Sequence, residues 1–236
     1  MFILFKEYMI LNIKFKHFVL LMVVLFSLQT VAQTRQQMRD SLALAVRELS
    51  FKPDSIDLRL KKAAWNVQLE QWQYAHDEYD YVLQREPANV AALFYRAFVN
   101  EKQKRYKFAR LDYENLLAIV PGHFEASLGL ALLNQKDSRY TEAFDQINLL
   151  VAQHPKKAVA WAARAGIEME RKMYEPAKYD YNRAVQIDPD NVDYRLCLVN
   201  VLLILRQKKE ALEQLDQMVE KGTSRASLVE WYSRCK

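Results

Sequence analysis

The chain has 236 residues, 51% of them hydrophobic, with only 4 glycines and 6 prolines. That length suffices for one substantial folded unit, and so few turn residues, in an interior rich in Ala, Leu, Glu, Gln, Lys and Arg, argue for an all-α protein and against a sheet-rich one. The net charge is +5, but leaving out Lys6, Glu7, Lys14 and Lys16 gives 31 basic and 28 acidic residues with the signs interspersed, which argues against nucleic acid as a partner.

Residues 1–32 predict a secretory signal peptide. Lys14, Lys16 and His17 precede the apolar run Phe18 to Leu28, and Thr30-Val31-Ala32 supplies the small residues a signal peptidase reads, so cleavage is expected after Ala32. The run is short for a membrane span of roughly 20 residues, and an uncleaved anchor is the alternative. No cysteine lies near the cleavage site, which disfavours a lipoprotein. Residues 1–8 exceed an ordinary signal, so translation from Met9 is an alternative to Met1. The expected location is the periplasm or cell envelope, or outside the cell, with no membrane span after cleavage.

Residues 33–55 predict an N-terminal capping helix, with Gln37 to Ser50 amphipathic ahead of Pro53. From Pro53 onward the chain repeats. Pro53, Pro87, Pro121, Pro155 and Pro189 are each 34 residues apart, as are Ala75, Ala109, Ala143, Ala177 and Ala211. The aromatics Trp72, Tyr106, Tyr140 and Tyr174 keep the interval, and so do Ala63, Ala97, Ala131 and Ala165, with Val199 next in phase. Independent series at one period signal a repeat architecture. Proline ends the second helix of each unit, the alanines mark close helix approach, and the aromatic fills the corner where the second helix begins.

This pattern resembles the tetratricopeptide repeat family, with its small residue at position 8, aromatic at 17, alanine at 20 and proline at 32 of a 34-residue unit. The repeats in that phase are 56–89, 90–123, 124–157, 158–191 and 192–225. The chain departs from the family at position 8, where glycine becomes alanine or valine. It departs again at position 11, where tyrosine becomes Asn66, Asn100, Asn134, Glu168 and Leu202. The fifth repeat loses the aromatic (Lys208) and the proline (Thr223). The resemblance implies an α-α superhelix of about five helix pairs, with capping helices at both ends.

Within the repeats, position 7 carries Lys62, Arg96, Leu130, Arg164 and Leu198, and position 23 carries Glu78, Asp112, Gln146, Asp180 and Gln214. Basic meets acidic and leucine meets glutamine. A partly buried charge needs a partner, so structural ion pairs are expected for Lys62–Glu78, Arg96–Asp112 and Arg164–Asp180. Position 24 follows the same split: Tyr79, Tyr113 and Tyr181 against Ile147 and Leu215.

First helices of such a solenoid line a groove. The residues expected there are Val67, Gln68, Phe94, Tyr95, Phe98, Glu101, Lys102, Gln135, Lys136 and Met169, an apolar and aromatic floor with a polar edge. For Phe94, Tyr95 and Phe98, packing between repeats is the equal alternative. For Leu60, Leu128 and Leu132, core packing is the better reading. The carboxylate clamp of one subgroup of the family needs lysines and asparagines at positions 5, 9 and 13. Leucine, phenylalanine and alanine dominate positions 5 and 9 here, so the clamp is not supported.

Ser224 to Lys236 predicts a lone terminal helix offering Leu228, Val229, Trp231 and Tyr232 for packing, with the cap assigned to 226–236. Cys197 and Cys235 fall on neighbouring helices and either bridge or stay as buried thiols. His76, His123 and His154 occupy different repeat positions, without the i, i+4 partner of a zinc-binding helix, and neither a Gly-rich phosphate loop nor a G-x-S-x-G elbow occurs. No cofactor, metal or enzymatic activity is expected. The expected function is a protein–protein interaction scaffold binding a peptide or protein in its groove. The alternatives are an assembly subunit using its convex face or ends, or an accessory factor to an envelope enzyme.

Overall fold

The computed structural model describes residues 34–236, so the expected signal peptide lies outside the described residues. The chain divides into two compact units, one reaching Ala92 and one from Leu93 to Lys236.

The first unit holds α1 (34–51), α2 (Ile56–Gln68) and α3 (Trp72–Arg85). Helix α1 buries Ala45 and Leu49. Ser55 starts α2, its Oγ accepting from the Leu58 amide at 3.4 Å, which satisfies one donor of the open first turn. Ala63 and Ala75 are fully buried where α2 and α3 pack together. The turn before α2 is tied down by Asp54, which accepts from the Tyr81 hydroxyl at 2.7 Å. The Tyr81 ring in turn carries the guanidinium groups of Arg59 and Arg85 over it, at 3.3 and 3.5 Å from its centroid.

The break between the units falls in the first turn of α4 (Val90–Lys102). The second unit continues with α5 (Tyr106–Ile119), α6 (Phe124–Lys136), α7 (Tyr140–Gln153), α8 (Ala158–Glu170), α9 (Tyr174–Ile187), α10 (Val192–Ile204) and α11 (Lys208–Glu220). A 3₁₀ turn (Arg225–Leu228) and α12 (Val229–Arg234) close it. The described residues contain no strand. From α5 to α12 each helix packs on the next in sequence, and α6 also meets α8. Ala109, Ala131, Ala143, Ala165, Ala177, Val199 and Ala211 are fully buried, and Leu116, Leu133, Ile147, Leu150, Leu198 and Leu215 fill the layers between them. Each buried leucine or isoleucine contributes about 1.5–3 kcal/mol relative to exposure.

Two local devices set the helix ends. Every first helix stops in a Schellman motif: Glu70, Lys104, Ser138, Lys172 and Arg206 take φ near +60°. The next amide in each case reaches back to the carbonyl at position 11, as from Gln71 to Asn66 and from Met173 to Glu168, both at 2.8 Å. Second helices stop differently. Glu86, Val120, His154 and Asp188, each just before a proline, leave the helical region with φ near −126° and ψ between 56 and 83°, where the following ring disfavours α geometry. Helix α11 has no such proline. Gly222, at φ +98°, ends it instead, with the Thr223 amide bonded to the Met218 carbonyl at 2.9 Å.

Where one continuous terminal helix is expected, the chain forms the 3₁₀ turn and the short α12. Ser227 and Ser233 donate their hydroxyls to the carbonyls of Ser224 and Glu230, three residues back, and compete with regular helix at both places. Leu228 is buried and Val229 exposed. Cys197 and Cys235 are both free. The Cys197 thiol meets the Tyr181 hydroxyl, and burial pushes it above the ordinary thiol value.

Candidate functional site

The second unit carries an open groove of about 1010 Å³ across the first helices α4, α6 and α8. Helix α4 contributes Phe94 and Phe98, α6 contributes Leu128 and Leu132, and α8 contributes Ala162, Ala163, Gly166 and Ile167. The phenylalanines and the leucines are each spaced i, i+4, which places each pair on one helix face. Leu132 is 42% exposed, so it belongs to the groove wall and corrects its assignment to the core. Leu128 also lines the groove.

The floor comes from a second helix. Tyr113 of α5 reaches under α6 at Gly129, where an added Cβ would stand 2.7 Å from the tyrosine Cζ. Any other residue at 129 collides with the ring. Tyr113 is 2% exposed, and burial, with Glu101 and Asp112 nearby, pushes its phenol well above the usual value and keeps it neutral.

One rim of the groove is a polar ladder. Lys136 Nζ donates to Glu101 Oε1 at 2.6 Å, and Gln135 Nε2 donates to Glu170 Oε2 at 2.6 Å. The bond to Glu101 holds the Lys136 ammonium above its ordinary value. Gln135 is 8% exposed, and its Oε1 is buried without a hydrogen-bond partner.

Of the residues expected in a groove, Phe94, Phe98, Glu101, Gln135 and Lys136 line this one together. Tyr95 does not. It stands 45% exposed, edge-on to Phe94 with ring centroids 5.3 Å apart. Lys102 lies outside the lining, its Nζ 5.0 Å from the Phe98 ring centroid. Met169 lines a second depression of about 620 Å³ with Tyr181, Leu196, Cys197 and Trp231, and Gly166 borders both. Val67 and Gln68 belong to the first unit. Tyr113, Gly129 and Glu170 were not expected in the groove. The tyrosine at position 24 was the available signal for the floor, since it marks where a long side chain passes toward the next first helix.

The residues expected to pair across each helix pair do meet. Lys62 Nζ is 2.5 Å from Glu78 Oε1, and Arg59 Nη1 also reaches Glu78, at 2.9 Å. Arg96 forks onto Asp112 through Nε at 3.0 Å and Nη2 at 2.6 Å. Arg164 does the same to Asp180, at 2.5 and 2.9 Å. Planar guanidinium matches carboxylate in this geometry. In the repeats with leucine at position 7, the glutamine at position 23 takes a neutral donor or a displaced arginine: Asn134 Nδ2 donates to Gln146 at 2.9 Å, and Arg195 Nη1 to Gln214 at 2.8 Å.

Position 11 completes these networks. Asn100 Nδ2 donates to Asp112 at 3.1 Å, as Asn134 does to Gln146. In the fourth pair that place holds Glu168, which is 5% exposed, with Oε2 buried and unpartnered beside Asp180. Burial first, and then the Asp180 charge, push its carboxyl up to about 7, against the pull of Arg164. Among the described residues no three His, Cys, Asp or Glu side chains cluster as metal ligands, and no helix is long and apolar enough to cross a membrane.

No family model matches the chain. A stretch of 69 residues is 29% identical to an N-terminal acetyltransferase A complex subunit-like protein of Schizosaccharomyces pombe; it covers 29% of this chain and 10% of that protein. The chain thus spans about a tenth of the length of this curated relative. Solved structures show the fold. A tetratricopeptide repeat protein from Parabacteroides merdae superposes with a TM-score of 0.67 at 18% identity, covering 87% of this chain and 80% of that one. MamA from Desulfovibrio magneticus gives 0.60 at 19% identity over 70% and 93%. YrrB, described as a tetratricopeptide protein with an unusual peptide-binding site, gives 0.54 at 15% identity over 75% and 91%. The fold is all-α, of the tetratricopeptide repeat type.

Proposed function

We propose that the protein is a non-catalytic interaction scaffold of the periplasm or cell envelope, holding a peptide or protein segment in the groove across α4, α6 and α8. The observation that carries this reading is the open cavity of about 1010 Å³ whose walls are phenylalanine, leucine and isoleucine. Apolar surface left facing solvent in a preformed depression favours a partner with apolar anchors. The solved peptide-binding relative of the same fold is consistent with that use. Crosslinking capture by the mature protein in its own cell envelope tests it. Changing Phe94 and Phe98 to serine removes two anchoring surfaces, and a loss of partner capture of roughly tenfold or more is expected. A folded double variant that captures its partner as well as the native chain overturns the groove reading.

Export is part of this proposal. It rests on the apolar run Phe18 to Leu28 behind Lys14 and Lys16. The mature protein recovered from cells should begin at Gln33. A chain that keeps residues 1–32 and stays with the cytoplasmic fraction would contradict it.

A second reading has its own observation. Phe108 and Leu111, one turn apart on α5, are 63% and 52% exposed, away from the groove lining. They suit an assembly subunit that docks through its outer face. In that case changing both to serine, rather than Phe94 and Phe98, alters the oligomeric state seen by light scattering.

A further inference from the structure

The groove has a chemical bias beyond being apolar, and it lies in what the rim leaves unsatisfied. Gln135 is held in one orientation, because its Nε2 donates to the Glu170 carboxylate at 2.6 Å. The amide therefore presents Oε1, and this atom is buried with no partner. A buried acceptor without a donor costs about 1–3 kcal/mol, and a donor brought into the cavity that Gln135 lines would relieve it.

The charges around that atom are biased the same way. Glu101, Glu125 and Glu170 line the cavity, and Lys136 is the single basic residue lining it. Lys136 is already taken by Glu101 at 2.6 Å, and Lys102, outside the lining, sits over the Phe98 ring. Glu125 lies 3.4 Å from His123 Nδ1. That nitrogen accepts from the Ala126 amide at 3.2 Å, so it carries a lone pair and not a proton. Among the described residues no lysine or arginine pairs with Glu125 or Glu170 at the cavity, in a protein whose net charge is +5.

We infer that the segment bound here carries an arginine or lysine between large apolar side chains, its cationic N–H groups donated to Gln135 Oε1 and to the Glu170 carboxylate. The inference rests on the groove reading above and gives it a partner class. The apolar neighbours of the basic residue fill the space between Phe94, Phe98, Leu128 and Leu132. An acidic segment is repelled by Glu125 and Glu170 and leaves Gln135 Oε1 bare. A neutral segment satisfies the amide and leaves the carboxylates unpaired.

The test uses the full chain and fluorescein-labelled short peptides in three matched sets. Leucine and phenylalanine stand at varied spacing around a central arginine, glutamine or glutamate, and binding is read by fluorescence anisotropy. The best arginine peptide should bind roughly tenfold or more tighter than its glutamine counterpart, as expected for one charge-assisted hydrogen bond, and the glutamate set weakest of all. Glu170→Gln should erase most of that preference, and Gln135→Leu should weaken the arginine and glutamine peptides alike, since both donate to Oε1. Equal affinity across the three sets, with binding still lost in Phe98→Ser, overturns the basic-residue inference and leaves the groove reading standing. If no set binds, or Phe98→Ser binds as well as the native chain, the groove reading falls and the inference falls with it.

Discussion

Glu168→Gln is expected to leave the protein more stable above pH 7, by up to about 3 kcal/mol, and to flatten part of its pH dependence. In the native chain Glu168 occupies the place from which Asn100 donates to Asp112. It faces Asp180, Arg164 and the Tyr181 hydroxyl, and both Asp180 oxygens already accept from the Arg164 fork. Protonated, Glu168 can donate as the asparagines do. Ionised, it sets a second buried carboxylate against one guanidinium. Its carboxyl titrates near 4.5 in the unfolded chain and near 7 in the folded one. Below pH 4.5 both states are neutral and the residue imposes no penalty. Between 4.5 and 7 the unfolded chain binds fewer protons than the folded one, so this contribution to stability falls as pH rises. Above 7 the loss is complete. Glutamine keeps the shape, donates to Asp180 at every pH and has nothing to titrate. Urea unfolding of the two proteins across this range isolates the effect as a difference. Identical slopes for native chain and variant would remove Glu168 as its source.

The second large effect is at Asp112. Its side chain is 2% exposed and accepts from Arg96 twice and from Asn100 once. Asp112→Leu removes the carboxylate onto which Arg96 forks and should cost about 3–5 kcal/mol. Changing Arg96 to Met in the same chain should return most of that, because the buried charge leaves with its partner. Lys62→Met should cost about 1 kcal/mol or less, since Lys62 is more exposed and Arg59 also holds Glu78. Urea midpoints for the three variants decide it. A single Asp112→Leu variant within 1 kcal/mol of the native protein, below even the ordinary cost of a buried network, would show that the pair carries little stability.

The helix pairs were legible because they are written five times over. Prolines, alanines and corner aromatics at one period place the helices of both units, and the co-variation of positions 7 and 23 points to residues that the structure brings within bonding distance. What was hidden depends on contacts between repeats. Tyr113 reads as a partner of its own pair, yet its ring supplies the floor beneath the next first helix because Gly129 leaves room. Arg59 and Arg195 bond from a position at which no base recurs in every repeat, so no periodic signal marks them. Glu168 is visible as a departure from asparagine, but its cost arises only from burial. At the C-terminus two serine hydroxyls decide between one helix and two short pieces, a balance of about 1 kcal/mol that composition does not register.

Packing between sequence neighbours also has a kinetic side. From α5 to α12 the most extensive packing joins helices adjacent in the chain, so few long loops must close before contacts form, and folding of this unit should be quick for its length. The same locality means that unfolding need not be global. Leu228 and Cys235 cover the last apolar layer, around Leu215 and Met218, and are held by a 3₁₀ turn and a six-residue helix. Amide protons of α11 should therefore exchange through release of that small cover, well before those of α6 or α7, and the chain would come apart from this end one layer at a time.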